Sequence, residues 1–196
     1  MALILIPLFL GLGAGYVGLI PNVLLAKVDT YITWALLLLL FAVGADMGLK
    51  KEALREFIQL GPRVLLVPAG VVMGSLAATA VLAVFLGLKW NEGAAIGAGF
   101  GWYSLTGVLL TELHSVRLGT LAFLTNVMRE SLTIVILPWV QRYLGPLAAI
   151  APGGATTMDV TLPVVIKVAG EEYGLVAFAN GFLLSLSVPF LVQVLL

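Results

Sequence analysis

The sequence predicts an all-α integral membrane protein built as a single transmembrane domain over 1–196. Three observations carry that expectation. Hydrophobic residues fill 61% of the positions and charged residues only 10%, whereas a soluble domain carries roughly a quarter charged residues. Mean hydropathy is +1.14. The apolar runs between glycine, proline and charge punctuation are of membrane-spanning length, longer than core helices need.

About seven hydrophobic passages follow from that punctuation. The first covers 2–20 and the second 31–49. The first starts "MALILIPLFLGLGAG" and lacks the basic start of a signal peptide, so it is read as a retained helix. A charged amphipathic piece, "KKEALREFIQLGPR", comes next. The third passage covers 64–88, the fourth 92–113, the fifth 118–143, the sixth 146–168 and the seventh 173–196. No linker or low-complexity segment divides them. Asp46 reads as the interfacial end of the second passage.

Orientation follows from lysine and arginine. If every passage crosses, Lys50, Lys51, Arg55, Arg63, Arg117 and Lys167 share one side, and Lys27, Lys89 and Arg142 the other. Six against three predicts a cytoplasmic N-terminus and an outer C-terminus. Net charge is zero, which gives no footing for nucleic acid. The absence of cysteine excludes disulfides, thiolate metal sites and a cysteine nucleophile.

Two passages do not read as plain helices. In "GAAIGAGFGWYSLTG", Gly93, Gly97 and Gly101 form a small face that lets a neighbouring backbone approach. Trp102, Tyr103, Ser104, Thr106 and Gly107 then change its character, and this fourth passage is expected to unwind. In "APGGATTMDVTLP", Pro152, Gly153 and Gly154 interrupt the sixth passage ahead of Thr156, Thr157 and Asp159. Pro163 is expected to leave the Asp159 carbonyl without its helical partner. Unwound backbone is tolerated in a bilayer only where protein or water surrounds it. Paired discontinuous helices meeting near the midplane are a transporter architecture.

The fifth passage carries charge through "LTNVMRESLTIVIL". Asn126, Arg129 and Glu130 are spaced so that Asn126 shares a face with both charged residues. A charge at the bilayer centre costs at least ~2.5–3.5 kcal/mol on insertion scales. The pair therefore needs compensation, and Asp159 is the candidate third member. An arginine between two carboxylates leaves one net negative charge, which attracts a cation. The bland alternative is an ion pair of Arg129 with Glu130 or Asp159 that only holds two passages together. Asn180, beside Gly181 in the seventh passage, is a candidate for the same cavity. Ser185 and Ser187 precede Pro189, where hydroxyls satisfy freed carbonyls. His114, the one histidine, reads as a solvated loop residue near Glu112. Nucleophile-elbow, H-E-x-x-H and P-loop motifs are missing, so the chain is not read as an enzyme or a nucleotide-driven pump, and no cofactor is expected.

"GFGWYSLTGVLLTE", "FLTNVMRESLTIVILP" and "GGATTMDVTLPV", in this order, resemble the bacterial lysine exporter LysO family along the whole chain. That resemblance implies an inner-membrane exporter of L-lysine and analogues such as thialysine, with Glu130 and Asp159 handling substrate or protons. Longer family members carry an additional N-terminal hydrophobic third. Its absence here implies self-assembly into a homo-oligomer or a small membrane subunit as partner. Lysine's ammonium groups suit Glu130 and Asp159, and its carboxylate suits Arg129 or a half-helix N-terminus. Alternating access with proton antiport is the expected mechanism. A monovalent cation/proton antiporter and a non-transporting scaffold subunit are the alternatives.

Overall fold

The computed structural model describes residues 65–196 continuously and scattered positions between 10 and 49. Asp46, Lys50, Lys51, Arg55 and Arg63 lie outside the described residues. The chain divides into two units, Met1–Phe41 and Ala42–Leu196. In the first unit the described positions between 10 and 17 and between 30 and 41 are helical. The rest concerns the second unit.

Its described helices are α1 (Leu66–Phe85), α2 (Trp90–Gly97), α3 (Tyr103–Leu113), α4 (Val116–Leu144), α5 (Pro146–Ile150), α6 (Leu162–Ala169) and α7 (Gly174–Leu195). Short 3-10 segments, Ala151–Met158 and Glu171–Tyr173, precede α6 and α7. No strand occurs among the described residues. Among the described residues, three stretches are long and apolar enough to cross a membrane: Leu66–Phe85, Val116–Leu144 and Glu171–Leu195. They correspond to the third, fifth and seventh passages of the sequence.

The fourth and sixth passages do not run the length of these helices, which corrects their reading as crossings. Glu92 opens α2 and His114 closes α3, yet their side chains meet at 3.3 Å. The chain has therefore reversed between them, and α2 with α3 forms a hairpin. At about 1.5 Å per residue their helices rise only ~12 and ~17 Å, short of a bilayer core of about 30 Å. Helix α4 starts beside His114 and, rising ~43 Å, carries Gly145 to the opposite end. Helix α7 comes back, because the Leu195 carbonyl accepts from Asn91 Nδ2 at 3.2 Å. The segment between Gly145 and Gly174 thus begins and ends at one end, and it forms a second hairpin of opposite polarity. A buried apolar cluster of Leu137, Ala149, Ile150, Val165, Val176 and Ala177 ties its base to α4 and α7.

This folding-back regroups the basic residues. Lys89 and Arg117 line one cavity of about 290 Å³ with Glu92 and His114, so these two cations share an end. Arg142, in the last turn of α4, and Lys167, in the last turn of α6, take the other. The sequence count paired Arg117 with Lys167 and Lys89 with Arg142.

Small residues allow the close packing. A side chain on Gly93 would strike Ala83 and the Thr79 carbonyl, and one on Gly97 would strike the Thr79 hydroxyl. That face of α2 is therefore flush against α1. Gly119 and Gly107 play the same part between α4 and α3. Ser115 starts α4 by accepting from the Leu118 amide at 3.3 Å. Ser115→Ala should cost about 1 kcal/mol, read as a lowered unfolding temperature in detergent.

Candidate functional site

The two hairpin tips touch. Helix α2 ends at Gly97 and α3 begins at Tyr103, and the stretch between turns back through Phe100 (φ 48) and Gly101 (φ 97). The second tip turns at Gly154, with φ 58 and ψ −127 inside the 3-10 segment. The Phe100 carbonyl accepts from the Ala155 amide at 2.8 Å. A left-handed conformation costs a non-glycine residue about 1–2 kcal/mol. Phe100 holds it because its ring is fully buried and its carbonyl is aimed across the junction.

Polar side chains satisfy the carbonyls and amides that the broken helices release. Asn126, buried on α4, accepts from the Gly101 amide through Oδ1 at 2.7 Å. Its Nδ2 donates to the Ile96 carbonyl at 3.2 Å and to Ala122 at 2.9 Å. Arg129 donates through Nε to Pro152 (3.0 Å), through Nη2 to Ala151 (3.3 Å) and through Nη1 to Ser75 Oγ (2.8 Å). These three hydrogen bonds go to the second tip and to α1. The guanidinium acts on carbonyls and a hydroxyl, where the sequence suggested an ion pair.

Thr156 Oγ1 donates to the Gly153 carbonyl at 2.9 Å and lies 3.1 Å from Thr161 Oγ1. Thr157 Oγ1 donates to Gly154 at 2.8 Å. Asn180 Nδ2 donates to the same Gly154 carbonyl and to Thr157 Oγ1, both at 3.0 Å. Its neighbour Gly181 lets the second tip lie directly on α7, since a side chain there would meet the Met158 amide and the Ala155 carbonyl. Pro163 stands in the first turn of α6, where its missing N–H costs nothing. The Asp159 carbonyl accepts from the Leu162 amide at 3.3 Å, so Pro163 starts a helix and orphans no carbonyl.

Glu130 is buried, at 4% exposure, and its Oε2 has no hydrogen-bond partner among the described residues. Asn180 Oδ1 shares that condition. A buried acceptor left unmet costs about 1–3 kcal/mol, so both atoms are places for an incoming donor. Tyr103 lies close enough to Glu130 and Asp159 to interact with their charges, and Glu130 and Asp159 interact with each other. The Tyr103 ring packs edge-on against Phe123, with centroids 5.5 Å apart. Asp159 is exposed and its Oδ1 accepts from the Val160 amide at 2.5 Å. Trp102 is half-buried, and its carbonyl accepts from Thr106 Oγ1 at 2.7 Å. Ser104 is exposed and apart from this network.

Sequence reasoning missed Ser75, Thr161 and the Phe100 carbonyl. Ser75 carried a signal, since "GSLAATA" is a small, weakly polar run in an apolar helix. The Phe100 carbonyl carried none, because no side-chain pattern reports where a backbone oxygen points. His114 is the exposed turn residue that the sequence suggested, and its Nε2 lies 3.3 Å from Glu92 Oε1. Ser187 Oγ donates to Leu184 at 2.7 Å, while Ser185 Oγ faces Met158 Sδ at 3.6 Å.

A sequence model described as lysine exporter LysO matches residues 5–196. The Escherichia coli (strain K12) protein named lysine exporter LysO is 38% identical over 159 residues, which are 81% of this chain and 52% of that protein. A Haemophilus influenzae protein, provisionally named a lysine exporter, is 33% identical over 159 residues, covering 81% of this chain and 80% of its own. The chain thus spans about half the length of its E. coli relative. No solved structure matches it.

Proposed function

The chain belongs to the lysine exporter LysO family, and from that premise we propose that this multi-pass membrane protein exports L-lysine and analogues such as thialysine. The observation that carries the reading is the buried Glu130 carboxylate, whose Oε2 has no partner among the described residues, beside the junction of two broken passages. A cationic side chain is the donor such an atom suits. In this reading the hairpins are discontinuous, re-entrant elements that meet near the midplane. Their opposite polarity supports it, because inverted pairs of that kind surround transporter sites.

Asp159 and Tyr103 complete the cation-facing side, with Asn180 Oδ1 as a second acceptor. The first turn of α3, over Tyr103, Ser104 and Thr106, suits the carboxylate of the amino acid. Trp102 covers its aliphatic stem, and Thr156 and Thr157 shape the facing tip. Asn126 and Arg129 hold the frame of the site. Two interacting carboxylates support alternating access with proton antiport as the mechanism, since a proton on either weakens the hold on an ammonium group.

The location proposed is the inner membrane, with the N-terminus cytoplasmic and the C-terminus outside. Exchanging Arg117 for Arg142 on the richer side leaves the sequence count at six against three. A C-terminal reporter active only in the cytoplasm should stay silent. Self-assembly, or pairing with a small membrane subunit, belongs to the same reading and predicts a particle heavier than 20.7 kDa of protein in detergent.

The direct test is efflux from proteoliposomes. Loaded lysine should leave when an inward proton gradient is imposed, and thialysine should compete. Proton movement that depends on sodium and ignores lysine would replace this reading with cation/proton exchange.

A further inference from the structure

Asn126 and Arg129 stand one turn apart on α4, and each grips a different hairpin. Asn126 holds the first through the Gly101 amide and the Ile96 carbonyl. Arg129 holds the second through the Ala151 and Pro152 carbonyls, and its bond to Ser75 Oγ fastens that hairpin to α1 as well. The hairpins enter from opposite ends: the first from the His114 end and the second from the Gly145 end. Each fills only the depth between its own base and the shared junction of Phe100 and Ala155. Withdrawal of one tip therefore opens the site toward that hairpin's end alone.

We propose that Asn126 and Arg129 are opposed positioning residues of the transport cycle: Asn126 keeps the site shut toward the His114 end, and Arg129 with Ser75 keeps it shut toward the Gly145 end. This rests on the transport reading above. Asn126 grips backbone groups through neutral hydrogen bonds of small net worth, and Arg129 grips two carbonyls and the Ser75 hydroxyl through charged ones worth roughly twice as much. The grips also share one support. Helix α4 is 29 residues long, and its buried stripe runs from Leu118 to Leu137, so releasing one hairpin leaves the other fastened. Glu130 follows Arg129 directly and lies four residues beyond Asn126, which puts a cation held there in reach of both grips.

The chain has no cysteine, so one introduced thiol reports accessibility without background. Thr106 is fully buried in the first turn of α3, and Thr106→Cys serves as the reporter. Arg117→Cys and Tyr143→Cys, at exposed positions, identify which compartment each end faces. Right-side-out and inverted vesicles are treated with a membrane-impermeant maleimide in the absence of lysine. Asn126→Ala should raise the labelling rate from the His114-end compartment only. Arg129→Lys and Ser75→Ala should raise it from the Gly145-end compartment only. The expected rise is about fivefold, the population change that one hydrogen bond's net worth produces. Where Asn126→Ala or Arg129→Lys does not accumulate, the milder Asn126→Asp and Ser75→Ala decide. Rises from the same side for both sets, or unchanged labelling in folded variants, overturn the proposal. With efflux measured in chains that keep Thr106, opposite-sided labelling without lysine efflux would overturn the cargo and keep the gates. Lysine efflux without sided labelling would do the reverse.

Discussion

Glu130→Gln is expected to cut lysine efflux about a hundredfold while leaving the protein folded. Glutamine keeps the shape of the side chain, removes the charge and turns one acceptor oxygen into an N–H donor. The lost interaction is a charge-assisted hydrogen bond to an ammonium group, worth about 1.5–3 kcal/mol, and at 1.36 kcal/mol per decade the upper value is about two decades. Stability should move the other way. Glu130 is buried, and its Oε2 has no hydrogen-bond partner among the described residues, so removing its charge relieves a desolvation cost. A thermal midpoint equal to or above the parent's, together with lost efflux, is the expected pattern. A folded variant with normal efflux and an unchanged dependence on pH would remove Glu130 from the site. A fall in both stability and efflux would make Glu130 a structural member of the bundle.

Gly154→Ala is expected to be the most damaging single methyl in the described part of the chain. Gly154 has φ 58 and ψ −127, the first central position of a type II′ turn, which glycine fills because a Cβ is strained there. Space is a second obstacle. The added carbon would strike the Phe100 carbonyl and come within 2.9 Å of Arg129 Nη2. Backbone strain of about 1–2 kcal/mol and overpacking of about 1–3 kcal/mol add to a loss of roughly 3 kcal/mol. Two companions separate the terms. Gly145 has φ 89 and nothing within 4 Å of an added Cβ, so Gly145→Ala should show the strain alone. Gly74 lies inside α1 with open space around it, and Gly74→Ala should gain about 0.5–1 kcal/mol from helix propensity. Unfolding midpoints in detergent should rank the variants Gly74, parent, Gly145 and Gly154, from highest to lowest.

Composition carried the class of this protein, and three of its passages appear as the three long apolar helices. The direction of the fourth passage was hidden. Its 22 residues are enough to cross a bilayer, and hydropathy counts length without recording reversal. Only the meeting of Glu92 with His114 shows that the chain has come back. The charged face of α4 was visible in the spacing of Asn126, Arg129 and Glu130. Their partners were not, because Asn126 and Arg129 bind backbone atoms of residues 22 to 30 positions away in sequence. Pro163 illustrates the same limit. A proline is written identically whether it breaks a helix or begins one, and the preceding turn decides which.

The partial depth of the two hairpins has a consequence for biosynthesis. In the re-entrant arrangement proposed above, every segment after α1 owes its compartment to the hairpins stopping half-way. Adding enough apolar length to α2 or α3 for the translocon to accept one as a through-helix would send α4 in backwards, and all that follows with it. The terminus after Leu195 would then emerge in the wrong compartment. In that arrangement the glycines and threonines that interrupt these arms guard the topology as well as the proposed site.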